Sequence, residues 1–319
     1  MSNRQRLAVV AVGGNSLIID DEHRSIPDQF EAASSTVQSL MEMIEAGWNL
    51  VLTHGNGPQV GFILRRSEIA IEEVHPVPMD YATGDTQGSI GWMFQRAFNN
   101  EFRRRNLDRR AIAVVTQVLV DHDDPAFLNP TKPIGSVLDE RTAKRLASRQ
   151  GWTIKEDAGR GWRRVVPSPV PKAVLELEVI KSLMGMGHIV IACGGGGIPV
   201  VVDESGDHEG VEAVVDKDLA SSLLAVGLGA DLFVISTGVE KVALGFNTPD
   251  QRWLDSITVK QAREYLARGE FEEGSMEPKV RAIIEYLEGG GTEGVITDPK
   301  HISLALDGKA GTRIVLDGH

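Results

Sequence analysis

Three lysines occupy settings that would let them hold a negatively charged group. Lys217 lies in Asp216-Lys217-Asp218, just ahead of a helical stretch, and Lys279 closes Gly274-Ser275-Met276-Glu277-Pro278-Lys279, also at a helix start. Lys132 lies in Asn129-Pro130-Thr131-Lys132-Pro133, where two prolines stiffen the backbone around it. A lysine is mostly a solvated surface charge, so no one of these argues for chemistry alone. Asp218 sits where a carboxylate either orients neighbouring ammonium groups or caps a helix. Three apolar runs end in glycine clusters: Gly13, Gly14 and Asn15 after the first, Gly55, Asn56 and Gly57 after the second, and Gly194 to Gly197, with Gly195 and Gly196 at the centre, after the third. One such cluster is a turn. Three of them, cleared of side chains, would present backbone N–H groups to one cleft, as phosphate binding requires.

The elements that would position these residues alternate. Leu7 to Val12 reads as a buried parallel strand, and Val37, Leu40, Met41 and Ile44 give a helical face closed by Gly47. A strand from Asn49 to Thr53 completes a βαβ unit. Ile90, Phe94 and Ala97 mark a second helix, and Ala111 to Val120 reads as one strand. Further on come a helix from Val174 to Met184, a strand from His188 to Cys193, a helix from Leu219 to Val226 and a strand from Asp231 to Ser236. Val280, Ile283, Ile284 and Leu287 form the cleanest helical face. The alternation predicts an α/β three-layer sandwich with a mostly parallel central sheet, ligands sitting beyond the carboxyl ends of its strands. Residues 1–319 read as one domain. The stretch 125–171 holds six of the fourteen prolines and reads as a protruding insert. Within it, Trp152 to Asp157 and Trp162 to Val166 form a predicted hairpin. It is either a lid or a solvated surface excursion.

Composition narrows the function. A formal net charge of −12 disfavours nucleic-acid and membrane surfaces, so a polyanion such as ATP would have to be held by a few local cations. No apolar run is long enough to span a bilayer, and the single cysteine, Cys193, excludes an intrachain disulfide, so a cytoplasmic location is expected. Cys193 and His54 lack triad partners in the sequence and read as structural. No metal-ligand spacing occurs, so any metal should be Mg²⁺ arriving with ATP or ADP. There is no G-x-x-x-x-G-K-[ST] and no protein-kinase signature, and Pro58 spoils the near-match of Gly55 to Gly61 to a dinucleotide fingerprint.

Taken together, these stretches resemble the carbamate kinases of the amino-acid-kinase fold. The likeness rests on Val12-Gly13-Gly14-Asn15, on Thr53 to Gly61, on Asn129-Pro130-Thr131-Lys132-Pro133-Ile134-Gly135, on Glu156 to Pro169, on Ala192 to Val200, on Asp216-Lys217-Asp218 and on Gly274 to Val280. The resemblance implies reversible phosphoryl transfer between ATP and carbamate, often run toward ATP, in a homodimer. It implies that Lys217 and Lys279 hold the transferring phosphoryl group, that Asp218 organises them, and that Asn15 and the glycines line the phosphate path. Lys132 would close over carbamate, and Thr237, Val239 and Met276 would belong to the nucleotide pocket. Met79 to Gly88 departs from the family's small Gly-Ala-Met stretch. There Asp85 adds a carboxylate that, if it faced the acceptor, would repel an anion or fix a different one. Another kinase of the same fold acting on a different small carboxylate, or a non-catalytic nucleotide-binding homologue, are the competing readings.

Overall fold

The computed structural model describes residues 5–13, 17, 18, 20, 22–157 and 161–318. Its centre is an eight-stranded sheet in the order Ser256–Thr258, Thr312–Val315, Glu293–Thr297, Leu232–Ser236, Leu7–Val12, Asn49–His54, Ile189–Ile191, Ala111–Ala113. Every neighbouring pair is parallel except Glu293–Thr297 with Thr312–Val315, between which the chain doubles back through the helical turn Ile302–Leu306.

The strand Leu7–Val12 explains why the sheet is covered twice. All six of its residues are buried. Leu7, Val9 and Ala11 point into one apolar cluster, while Ala8, Val10 and Val12 point into another. A run without polar alternation belongs to a strand sandwiched between two layers. The first cluster is closed by helices Lys217–Leu228 and Met276–Glu288, through Leu224, Val280, Ile283 and Tyr286. The second is closed by Ile26–Glu45 and Met79–Arg104, through Val37, Leu40, Ile90 and Phe94. The result is the three-layer α/β sandwich expected from the alternation.

Two expectations need correction. Ala111 to Val120 is not one strand: Ala111–Ala113 ends the large sheet, whereas Gln117–Val120 joins a separate four-stranded sheet with Pro171–Val174, Ile198–Val202 and His208–Gly210. Thr116 breaks the run, its hydroxyl donating to Val114 O at 2.8 Å and accepting from Cys193 N at 3.0 Å. The second concerns Val174, which ends a strand; the helix behind it is Leu177–Gly185.

The insert carries its own three-stranded antiparallel sheet, with Trp162–Val166 between Lys132–Leu138 and Thr153–Glu156. The expected hairpin is there, pairing Thr153 with Val165 and Glu156 with Trp162. Its base packs Ile134 and Val166 against Val60 and Leu64 of helix Gly57–Ile69. The ends of the predicted 125–171 stretch differ: Pro125–Leu128 is a short helical turn, and Pro171–Val174 belongs to the four-stranded sheet. Among the described residues no helix is long and apolar enough to cross a membrane.

Candidate active site

The three glycine-ended strands are next to one another in the sheet, in the order Leu7–Val12, Asn49–His54, Ile189–Ile191. Their carboxyl ends open into a cavity of about 1010 Å³ between the main sheet and the insert. Gly13, Gly55, Asn56, Gly57 and Gly195 line it. Gly195 is glycine for a physical reason: its φ is +67°, and a Cβ there would stand 2.2 Å from Asn56 Nδ2. Gly196 lies just behind, with φ +94°, its N–H bonded to Cys193 O at 3.0 Å. It is not part of the lining. Gly14 and Asn15 lie outside the described residues.

Beside the glycines, two helices deliver charge. Lys217 is the first residue of Lys217–Leu228, and Lys279 lies in the first turn of Met276–Glu288. A cation at a helix N-terminus opposes the helix dipole, so these lysines do not serve their own helices. What they serve is Asp218, which is 2% exposed and whose two carboxylate oxygens accept one from Lys217 Nζ and one from Lys279 Nζ, the latter at 3.1 Å. Burial disfavours the Asp218 anion, but the two ammonium groups outweigh it and hold its pKa below the usual carboxylate range. The cluster carries two positive charges against one negative at a helix N-terminus, so its unbalanced charge attracts an anion.

The capping of that helix falls to Asp216, whose Oδ1 accepts from Asp218 N at 2.9 Å and Leu219 N at 3.4 Å. Its other oxygen, Oδ2, lies 3.5 Å from Lys132 Nζ, which reaches across from the insert. Sequence reasoning assigned Asp216 no role. The N-cap position before an apolar helix was the signal for one half of it; the cross-cavity half depends on tertiary placement. Arg163 also lines the cavity from the insert, donating from Nη2 to Gly135 O at 3.2 Å. It too was missed, hidden among the charges of Trp162–Val166.

Thr237, Gly238, Gly274 and Ser275 also line the cavity. Val239 and Met276, expected in the nucleotide pocket, are outside the lining. Met276 instead packs, partly buried, against the larger apolar cluster. Asp85 is on the exposed face of Met79–Arg104 and is not among the cavity residues. Its neighbours are the relevant ones. Thr86 is bonded to Asn56, and Gln87 donates to Thr116 O and Gly194 O at 3.0 and 3.1 Å, fixing the third glycine loop.

The two groups read as structural behave so. The His54 imidazole, stacked on Phe94 with ring centroids 6.0 Å apart, is pushed down to about 4 by burial, with nearby Lys217 adding to the effect. Burial raises the Cys193 thiol far above its ordinary range. Among the described residues, no group of three or more His, Cys, Asp or Glu could hold a metal ion.

Comparison with known proteins adds identity to this geometry. The profile of the amino acid kinase family matches residues 6–298. The carbamate kinase of Pyrococcus furiosus is 46% identical over 309 residues, covering 96% of this chain and 98% of that protein. The carbamate kinase-like protein YahI of Escherichia coli is 46% identical over 314 residues, covering 98% and 99%. Among solved structures, carbamate kinase from Giardia lamblia bound to AMP-PNP superposes with a TM-score of 0.92 at 40% identity, covering 98% of this chain and 99% of that one.

Proposed function

We propose, from the premise that this chain belongs to the amino acid kinase family, that it is a carbamate kinase interconverting ATP and carbamate with ADP and carbamoyl phosphate. The observation that carries the reading is the buried Asp218 carboxylate held between Lys217 and Lys279, beside three adjacent strand ends cleared of side chains. In the forward direction a carbamate oxygen attacks the γ-phosphorus of ATP while the bond from that phosphorus to the β,γ-bridging oxygen breaks. The electron pair leaves with ADP. Carbamate is already an anion, so no general base is needed, and the barrier falls through positioning and charge neutralisation. Lys217 and Lys279 face the equatorial oxygens of the moving phosphoryl group, the glycine N–H groups of the strand ends share that charge, and Asp218 keeps both ammonium groups in place. Lys132 acts on the carbamoyl side. Residues 132–166 serve as the lid that excludes water from the cavity.

Both oxygens of Asp218 are occupied by lysines and one of Asp216 by amides, which leaves few carboxylate oxygens for a resident ion. That donor set suits a Mg²⁺ ion carried in on nucleotide phosphates and waters, which neutralises phosphate charge when bound. The same reading carries a cytoplasmic homodimer that makes ATP from carbamoyl phosphate. Tyr81 and Trp92, exposed on the outer face of Met79–Arg104, are apolar groups such a dimer would cover.

The test is to incubate the purified protein with ADP, Mg²⁺ and carbamoyl phosphate and record ATP, beside acetyl phosphate. Rapid ATP formation from carbamoyl phosphate and much slower formation from acetyl phosphate is expected. Equal rates would leave a kinase but remove carbamate as its acceptor.

A further inference from the structure

We infer that Asn56 reads the amino group of the acceptor through its side-chain oxygen, and that Thr86 fixes which end of the amide faces the cavity. This deepens the carbamate kinase reading and rests on it. Asn56 holds the N-cap position of helix Gly57–Ile69, where an asparagine oxygen ordinarily accepts from the N–H groups of the first turn. Here it makes no capping bond. Pro58 has no N–H to offer, and the side chain turns instead toward helix Met79–Arg104, where Nδ2 donates to Thr86 Oγ1 at 2.8 Å. Thr86 is fully buried, and its hydroxyl donates its single proton to Thr83 O at 2.7 Å. With that proton committed, the hydroxyl can only accept from Asn56, so the nitrogen end of the amide must face Thr86.

The oxygen end is therefore turned elsewhere. Asn56 is 7% exposed and lines the cavity, and among the described residues nothing donates to its Oδ1. The backbone of Gly195 lies against the amide, since a Cβ on that residue would meet both Nδ2 and Oδ1 within 2.9 Å. What remains for Oδ1 is the cavity, where it waits for a donor. A carbamoyl group has one, because its planar –NH₂ donates and does not accept. The methyl of an acetyl group has none, and would leave a nearly buried amide oxygen without a partner. A site built to hydrogen-bond an N–H rejects the analogue that lacks it far more strongly than a shape-selective pocket does. The ligand class is thus a small carboxyl-type acceptor with an amino group on the same carbon.

The experiment compares kcat/KM for carbamoyl phosphate with that for acetyl phosphate in wild type and three variants, with Tm recorded for each. Thr86→Val keeps the shape but takes away the hydroxyl, so the amide is free to rotate its NH₂ into the cavity; the preference for carbamoyl phosphate should fall by about 10-fold or more. Thr86→Ser keeps the hydroxyl and should hold the preference within about 3-fold of wild type. Asn56→Leu, of similar size, should reduce the preference at least as much and answers the question should the Thr86→Val protein not fold. If both substrates slow together in Thr86→Val and Asn56→Leu and the ratio stays put, the pair merely scaffolds the loop and the inference is overturned. A wild-type protein that makes no ATP from carbamoyl phosphate overturns the carbamate reading itself, and the inference with it.

Discussion

The two walls of the cavity are held in different ways. On the helix side, Lys217 and Lys279 are largely buried and both are bonded to one buried carboxylate, so their charge is set before any substrate arrives. On the insert side, the Lys132 side chain is 37% exposed, its contact with Asp216 Oδ2 is 3.5 Å long, and the strand that carries it loses register with its neighbour between Ile134 and Leu138. A preformed wall lowers the barrier because no reorganisation is needed during the reaction. A loosely held wall lets substrate in and closes afterwards. Under the function proposed above, the helices carry the catalytic charge and the insert captures substrate.

Substitutions on the preformed wall should have the largest effect. Lys217→Ala and Lys279→Ala should each reduce kcat by roughly 100- to 1,000-fold, the scale of losing one preorganised charge partner. Each also leaves Asp218 buried with a single counter-ion, so Tm should fall as well. Near-normal turnover in both would erase the distinction between the walls.

The floor beneath that wall gives the next effect, read as stability against pH. The His54 imidazole drops from its ordinary 6.5 to about 4 in the folded protein. The unfolded chain therefore binds the extra proton first, and the contribution of His54 is full above about pH 6.5 and is lost as pH falls toward 4. The shift corresponds to roughly 3 kcal/mol. Urea denaturation at pH 7 and pH 4.5 should record much of this loss in wild type and a flatter profile in His54→Gln. An identical slope in the variant would assign the acid sensitivity elsewhere.

The smallest effect belongs to the loose wall. Lys132→Ala should raise KM for carbamoyl phosphate and lower kcat, about 10-fold in kcat/KM, while ADP affinity by calorimetry stays within about 3-fold. Lys132→Arg should recover only part of this, because a planar guanidinium is wider than an ammonium and Pro133 limits the backbone's adjustment. Loss of ADP affinity equal to that of Lys217→Ala would mean that the insert belongs to the nucleotide side.

What the sequence made legible follows the same division. The buried strands and their glycine ends were readable because an unbroken apolar run such as Leu7–Val12 has one physical interpretation, and positive φ at Gly195 restricts the residue type. Lys217, Asp218 and Lys279 stood out by their places at helix starts, but it was the family resemblance that gave them roles. Asp216 as the partner of Lys132 was not, since 84 residues separate them and only the packed insert brings them together. Thr86 was hidden for a related reason: a buried hydroxyl on a long helix looks like any small core residue until the loop it bonds is placed. The split at Thr116 was invisible because Val114 and Val115 continue a β-rich composition straight through the bend.

The position of Leu7–Val12 at the middle of the sheet has a consequence for biosynthesis. One of its edges pairs with Asn49–His54 soon after leaving the ribosome, but the other waits for Leu232–Ser236. At translation rates of about 5–20 residues per second, that second edge stays open for roughly 10 to 45 s. During this interval the nascent chain exposes an apolar strand with unpaired N–H and C=O groups, the arrangement that recruits foreign strands. Yield in the cell should therefore depend on what shields that edge during synthesis, and slowing translation before residue 232 should increase aggregation without changing the stability of the finished protein.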